Sequence, residues 1–361
     1  MEDALFEEQQ RTSTETAKCP ACGADLIYDP KTQGLKCPYC GTEKDILGTK
    51  CSESDLNRLF TERSNNWATE TKAFKCENCG AETIISKNEI SKCCAYCGAS
   101  NIIEKGEMSG MRPDAVLPFK LTKEDAEKSA TTWAKKRFFA PRKFKKSVTT
   151  ENINGNYSPS FTFDSDAHGK YSGRLGKYYY ETHTVNGKKK QVRKTRYFDI
   201  SGTYDTFFDD ILIQASEKIS QKDLDKIQPF DTNSSQRYAA DYLYGFSATQ
   251  YTRDGRSCWN AAKDIMYARV KNQILAKYTY DVVDKFNLTV NYNNVTYKYV
   301  LLPLYIGHFN FKEKLYNFFV NGRNGKTTGK VPVSPFKVGL VVLGVLAVIA
   351  AIVAAYILGG N

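Results

Sequence analysis

Apolar and polar positions change period several times along the chain, and each change marks an element. Around Leu56, Leu59 and Phe60, "SESDLNRLFTERSNNW" has the spacing of a short amphipathic helix. "LTKEDAEKSATTWAKKRFF" continues in helical register to about Phe138, with Thr122 and Asp125 as a capping box and Pro141 as its stop. Residues 157–213 alternate Tyr, Phe and Thr with polar positions and predict strands, and Asn186-Gly187 between "YYYETHTV" and "KKKQVRKTRYFDI" predicts a hairpin. Helical spacing returns over 220–227 and 235–280, most clearly in "SCWNAAKDIMYARVKNQILAKY". Residues 286–330 predict strands again, with turns at Asn321-Gly322 and Asn324-Gly325. From Val338 to Leu358 alternation stops: 21 residues carry no charge, and Gly359, Gly360 and Asn361 follow. As a helix this run spans about 31 Å, which matches a hydrocarbon core of about 30 Å. Lipid cannot hydrogen-bond an open backbone, so a transmembrane helix is expected.

The expected fold class is therefore α+β, with a membrane anchor at the end. The layout has an acidic, disordered N-terminus (1–17), two four-cysteine zinc ribbons (18–48 and 74–105) and a linker helix between them (49–73). A mixed α+β domain (106–334) follows, then a transmembrane tail anchor (335–361). "MEDALFEEQQ" is acidic and has no apolar core, so it does not read as a signal peptide. Arg323, Lys326, Lys330 and Lys337 precede the apolar run and no charge follows it, which predicts a single-pass protein of the cell membrane with its N-terminal part in the cytoplasm. Gly344, Ala347, Ala351 and Ala355 form a small-residue stripe that would permit helix pairing in lipid.

Charge is local. The chain of 361 residues has a formal charge of +11. Residues 134–146, "AKKRFFAPRKFKK", carry seven basic side chains and no acidic one, and residues 170–196 carry nine against the single Glu181. Those two patches hold +15 between them, so the remainder is −4. The second patch, with Tyr178, Tyr179 and Tyr180, has the composition of a surface for nucleic-acid phosphates, for anionic lipid headgroups, or for water.

The eleven cysteines carry the clearest chemistry. "CPACGADLIYDPKTQGLKCPYCGTEKDI" and "CENCGAETIISKNEISKCCAYCGASNII" superpose with a shift of 57 residues. The shift places Cys19, Cys22, Cys37 and Cys40 on Cys76, Cys79, Cys94 and Cys97. Each repeat is C-x2-C, fourteen residues, C-x2-C, the spacing of a zinc ribbon with four thiolate ligands. Glycine after each second cysteine suits the positive φ of a tight knuckle. Lys18, Lys36 and Lys75 precede ligands and could offset the negative charge of a Zn²⁺ held by four thiolates. Two structural Zn²⁺ ions follow, because about 30 residues cannot fold on a core of their own. Ligation through Cys94 rather than Cys93 keeps the C-x2-C-G knuckle, and Cys51 and Cys258 read as buried structural cysteines.

No pattern of a catalytic site emerges. "NGRNGKTTG" contains Gly-Lys-Thr, but a phosphate-binding loop needs glycine at position 320, where Val320 stands. His168, His183 and His308 have no partners that define a catalytic constellation, and Asp209-Asp210 is a carboxylate pair at a loop or strand end. The reading is non-enzymatic.

The double ribbon, together with "VLLPLYIGHFNFKEKLYNFFVNGRNGKTTGKVPVSPFK" directly before the tail helix, resembles a family of bacterial membrane proteins, the transcription-factor-IIB-type zinc-ribbon proteins. Some of these bear the label of a primosomal-protein-N′-like helicase, and this chain lacks the Walker loop such an activity requires. Leu304-Tyr305 and Arg323-Asn324 depart from the family's usual residues. The resemblance implies a membrane-anchored scaffold or adaptor acting with other proteins of a membrane complex, including phage-shock-protein-A-like or flotillin-like (SPFH) envelope-stress factors. Such a scaffold would present its ribbons as protein-docking knobs. A membrane-tethered nucleic-acid-binding protein is the alternative.

Overall fold

The computed structural model describes residues 18–61, 67, 71–86, 93–105, 111–185, 188–312 and 314–359. The acidic 1–17 stretch, the Asn186-Gly187 turn and residues 106–110 of the linker lie outside them. Three short strands come first, β1 (Ile27–Asp29), β2 (Gly34–Lys36) and β3 (Glu43–Lys44), paired in that order as a separate antiparallel sheet. β4 (Ser54–Asp55) and α1 (Leu56–Thr61) lead to β5 (Thr71–Cys76), β6 (Glu82–Ser86) and β7 (Ile102–Lys105), with β5 paired to both of the others. β8 (Ala115–Val116), α2 (Lys123–Lys135) and α3 (Arg142–Lys146) precede two very long strands, β9 (Ile153–Val185) and β10 (Lys188–Gln214). Next come α4 (Gln221–Ile227), β11 (Gln236–Arg237), β12 (Ser247–Thr249) and α5 (Gly255–Leu275). The chain closes with β13 (Val282–Phe311), β14 (Lys314–Asn321), β15 (Thr327–Gly329) and α6 (Pro335–Gly359).

The fold is mixed α+β, and the middle of the chain is largely sheet. Its axis is β9. β13 pairs antiparallel with it from Gly307↔Ile153 to Val282↔Gly176, and β10 pairs on its other edge from Gln214↔Ser160 to Lys188↔Val185. Where β10 stops, β12 takes over that edge and carries β6, β5 and β7 with it, so the second ribbon belongs to the same twelve-stranded sheet, counted among the described residues. Along its outer edge β13 receives β4, β8 and β14 in turn. At 33 residues β9 extends about 110 Å at about 3.3 Å per residue, far more than a single core can cover. Burial follows: β13 alternates between exposed and half-covered up to residue 296, then is buried continuously over 297–307. Past Gly176, β9 and β10 continue as a two-stranded ribbon with no third strand among the described residues.

The helices follow local chemistry. Thr122 and Asp125 form the expected capping box on α2. That helix ends at Lys135, and Pro141 opens α3 instead of stopping α2. Asp254 caps α5, whose Cys258, Ala262, Met266, Val270 and Ile274 recur every four residues and are buried against β9, β10 and β13. The helical expectation for 235–280 holds only from Gly255, because β11, a 3-10 turn at Ala240–Leu243 and β12 occupy the earlier part. α1 lies within the segment between the two ribbons. Its Leu59 is buried beside Gly255 and joins the core under α5.

Candidate metal centres

All four knuckles are built alike. The amides of Cys19, Cys37, Cys76 and Cys94 donate to the carbonyls of Ala24, Thr42, Ala81 and Ala99 at 2.6–2.9 Å. The glycine amide four residues after each of those cysteines donates back to the cysteine's carbonyl at 2.8–3.0 Å. Closing so tight a loop puts Gly23, Gly41, Gly80 and Gly98 at φ between +65° and +77°, where side chains are disfavoured.

These knuckles bring Cys19, Cys22, Cys37 and Cys40 into one set and Cys76, Cys79, Cys94 and Cys97 into another, with all sulfurs of a set within 4.8 Å of one another. Facing pairs are 3.4 Å (Cys19–Cys40), 3.5 Å (Cys22–Cys37), 3.6 Å (Cys76–Cys97) and 3.6 Å (Cys79–Cys94) apart. A tetrahedral ion with sulfurs at about 2.3 Å has S···S edges of about 3.8 Å, so both sets fit a metal after a slight expansion. Thiols this close share protons unevenly. The Cys94 hydrogen bond holds Cys79 down to about 5, while the same bond and burial push Cys94 well up. Cys93 is exposed and outside the set. Cys258 is buried, which raises its thiol to about 12, and Cys51 is half-buried with its sulfur 3.4 Å from the Asp114 carbonyl.

Two of the three lysines expected to offset thiolate charge are engaged by carboxylates. Lys18 and Lys36 pair with Asp25 and Glu43 at 2.6 and 2.8 Å. Lys218, distant in sequence, donates to the Cys79 carbonyl at 2.9 Å. Both ribbons are also built into the body. Leu26, Tyr28 and Leu35 of the first join Phe119, Tyr157 and Tyr242 in one core, and Tyr28 Oη donates to the Phe119 carbonyl. Tyr96 of the second lies against Thr249 at 2.7 Å and is buried beside the 300–306 segment of β13. A cleft of about 1150 Å³ opens between the two ribbons and the body, lined among others by Ile27, Tyr39, Ile85, Ala95, Phe246 and Tyr305.

A second cluster carries no sequence motif. Asp210 sits in a β10 bulge at φ +49°, and β13 bulges between Asn293 and Thr296. Both irregularities flank the same stretch of β9, at Asp164 and Ser165. They gather Glu53, Asp164 and Asp210 around Lys298, which is 3% exposed and lies 3.1 Å from Glu53 and 3.4 Å from Asp210. Asp210 also accepts from Thr232 Oγ1, and its amide donates to Asp164. It is therefore far from the partnerless carboxylate its sequence neighbourhood suggested. Burial, then the bond shared with Glu53, raises Asp164 to about 7. The Lys298 ammonium pairs with two of the three carboxylates, so this is an internal ion cluster.

Two of the three histidines are paired locally, while His308 Nδ1 is buried without a hydrogen-bond partner among the described residues. His168 pairs with Asp205, His183 with Glu181 at 3.3 Å, and His308 lies half-buried against Gly98. Gly325 and Lys326 fall in the turn between β14 and β15, and Thr327 opens β15. On the two-stranded ribbon, Arg193 covers the Tyr178 ring at 4.4 Å and Arg196 covers Tyr179 at 5.3 Å.

Apart from Lys337, α6 is apolar over Pro335–Tyr356, with mean hydropathy 3.0 in its most apolar stretch, none of which is buried in the protein. It meets the body at its first turn: the Ser334 amide donates to the Phe139 carbonyl, and Lys337 Nζ to the carbonyls of Phe138 and Ala140, all at 2.8 Å. Of the basic residues that precede it in sequence, Arg323 is largely buried, bonded to Pro118 and Ser234 and facing Asp231 at 3.6 Å. Lys326 donates to the Gln228 carbonyl.

No family model matches the chain, and no solved structure matches it. It is similar to an uncharacterized protein of Bacillus subtilis (strain 168), YdjG, with 25% identity over 322 residues that make up 89% of this chain and 91% of that one.

Proposed function

We propose that this protein is a non-enzymatic, tail-anchored adaptor of a bacterial cell membrane. Its two four-cysteine sets hold structural Zn²⁺, and α6 crosses the bilayer with the rest of the chain on the cytoplasmic side. The observation that carries the reading is the form of α6: apolar on every face beyond Lys337, uncovered, and tied to the body, among the described residues, through its first turn. A helix of a soluble core would bury one face. The docking surface in this reading is the first ribbon and the cleft beside it. Leu47 and Tyr39 are 96% and 83% exposed there, an apolar display without a structural purpose of its own. The partner is a protein of a membrane complex, with phage-shock-protein-A-like and flotillin-like proteins the first to examine.

Carbonate extraction of membranes from cells making the full chain tests the anchor: the protein should stay with the membrane, and deletion of 338–361 should release it. Co-purification from detergent extracts tests the adaptor role. Tyr39→Ala with Leu47→Ser should lose the captured partner while retaining zinc and membrane insertion. Capture that survives both substitutions would remove the first ribbon from the reading. The alternative, a membrane-tethered nucleic-acid binder, draws on the basic two-stranded ribbon past Gly176. It requires salt-sensitive binding of DNA or RNA that disappears when Lys189, Lys190, Arg193 and Lys194 are neutralised.

A further inference from the structure

The basic segment that folds against the anchor is not adjacent to it in sequence. Lys337 is the last charge before the apolar run, so in a spanning α6 its ammonium lies at the level of the lipid headgroups. Its hydrogen bonds to the carbonyls of Phe138 and Ala140 fix residues 138–140 at that same depth, and Ser334 repeats the tie at Phe139. What sits there is the connection from α2 to α3. Phe138 and Phe139 are 64% and 42% exposed, with ring centroids 5.2 Å apart, and Phe336 of α6 is 75% exposed. Around them Lys135, Lys136, Arg137, Arg142, Lys143 and Lys146 are all exposed. None of the six has an acidic partner among the described residues. With Arg323 turned inward, this segment adds its positive charge to that of Lys330 and Lys337 next to the anchor.

We propose that residues 135–146 form a membrane-contacting collar. Phe138 and Phe139 enter the headgroup boundary, and the surrounding cations bind anionic lipid. Exposed aromatic rings flanked by lysine and arginine without acidic partners among the described residues, held at headgroup depth, match such a surface in both polarity and charge. The consequence is orientational. One helix leaves a body free to tilt and spin, whereas a collar beside it gives a second point of contact. The proposal rests on the tail-anchored reading.

The test uses the full-length protein in vesicles of phosphatidylcholine alone or mixed with phosphatidylglycerol, read by amide hydrogen exchange of the peptides spanning 135–146. Since each basic side chain at an anionic surface contributes about fivefold to binding, exchange of the Phe138 and Phe139 amides should slow at least about tenfold in the anionic vesicles. The protection should fade at about 1 M salt, where charges are screened within about 3 Å. Neutralising Lys135, Lys136, Arg142, Lys143 and Lys146 to glutamine should abolish the dependence on lipid charge, and Phe138→Ser with Phe139→Ser should speed exchange in both vesicles. Unchanged zinc content would show that the variants are folded, and the wild-type comparison of the two vesicles needs no variant. Carbonate-resistant protein whose collar exchanges equally in both vesicles would overturn the collar alone. Protein stripped by carbonate would overturn the anchor and the collar together. Protection produced by an added oligonucleotide and not by phosphatidylglycerol would also overturn the proposal, in favour of nucleic acid.

Discussion

The two ribbons share a repeat, a knuckle geometry and a sulfur arrangement, yet they stand differently in the molecule. The first keeps its own sheet of β1, β2 and β3, and its Cys22 and Cys40 face solvent. The second gives its strands to the main sheet, and Cys76, Cys94 and Cys97 are buried with only Cys79 half-covered. A metal held there would be a local fastening in one and part of the central core in the other. Ligand spacing fixes how the ion is held, and the residues between the knuckles fix what that ion supports. In the second spacer "AETIISKNEISK" contains Thr83, Ile84 and Ile85, a buried β-run that pairs with β12, whereas the first carries Asp29, Pro30 and Lys31 at a turn.

The largest expected effect separates the ribbons directly. A structural zinc site contributes on the order of 10 kcal/mol, comparable to the about 5–15 kcal/mol that holds a whole domain together. Cys76→Ser should therefore lower zinc from two ions to one and leave the sheet unfolded or insoluble. Cys22→Ser should lower zinc by the same amount while the main melting transition survives. Elemental analysis with calorimetry reads both, and equal thermal damage from the two substitutions would erase the distinction.

That distinction could not be read from the repeat. Ligand spacing, knuckle glycines, the capping box and the membrane run are local features, so the chain displays them in order. The depth to which a ribbon is embedded depends on distant partners such as Thr249 and Asn317, which lie 153 and 221 positions from the Tyr96 they bond. The Lys298 cluster was hidden for the same reason. Glu53, Asp164, Asp210 and Lys298 come from four separate segments, and two bulges that no motif announces bring them together. A lone "Asp-Asp" is an ordinary surface pattern until its opposite strand is known. Strand lengths were likewise obscured, because one exposed face along β9 and β13 looks the same whether the strand stops or continues.

The second effect concerns the segment between the ribbons. Glu53 leaves the first ribbon and reaches Lys298 on β13, so this pair fastens that region to the sheet. Removing one partner of a buried ion pair costs about 3–5 kcal/mol, because the remaining charges stay buried. Lys298→Met should lower stability by that order in denaturant unfolding, and adding Glu53→Gln and Asp210→Asn should recover part of it. A Lys298→Met protein as stable as wild type would show that the segment is slack and that the first ribbon is held by packing alone.

A smaller effect asks how closely each knuckle is approached. Alanine at Gly41 meets no neighbour within 4 Å, so only its backbone is strained, by about 1–2 kcal/mol. Alanine at Gly98 has the same strain and would place its Cβ 2.5 Å from His308 Nε2. Gly98→Ala should therefore lower the melting temperature more than Gly41→Ala, and should shift the His308 resonances where Gly41→Ala does not. Equal losses would mean that the second ribbon is not pressed against β13.

The smallest effect is a slope against pH, and its sign sets the sheet apart from the ribbons. Metal-binding thiols must lose protons, so both ribbons become more stable as pH rises. Asp164 acts in the other direction. Its folded value of about 7 lies above its ordinary 3.8, so between those limits the folded protein binds more protons than the unfolded chain. Its contribution is complete below 3.8 and is lost as pH rises through about 7. Glu53, whose carboxyl is held below its ordinary value, acts only at more acidic pH. Asp164→Asn keeps a hydrogen-bonding group at the site but removes the titration. The stability of wild type relative to Asp164→Asn should therefore fall between about pH 5 and about pH 8, while zinc content stays the same in both. Urea unfolding at the two pH values measures this. A difference that stays constant would mean that Asp164 keeps its charge throughout, and that the pH response of the protein belongs to its cysteines.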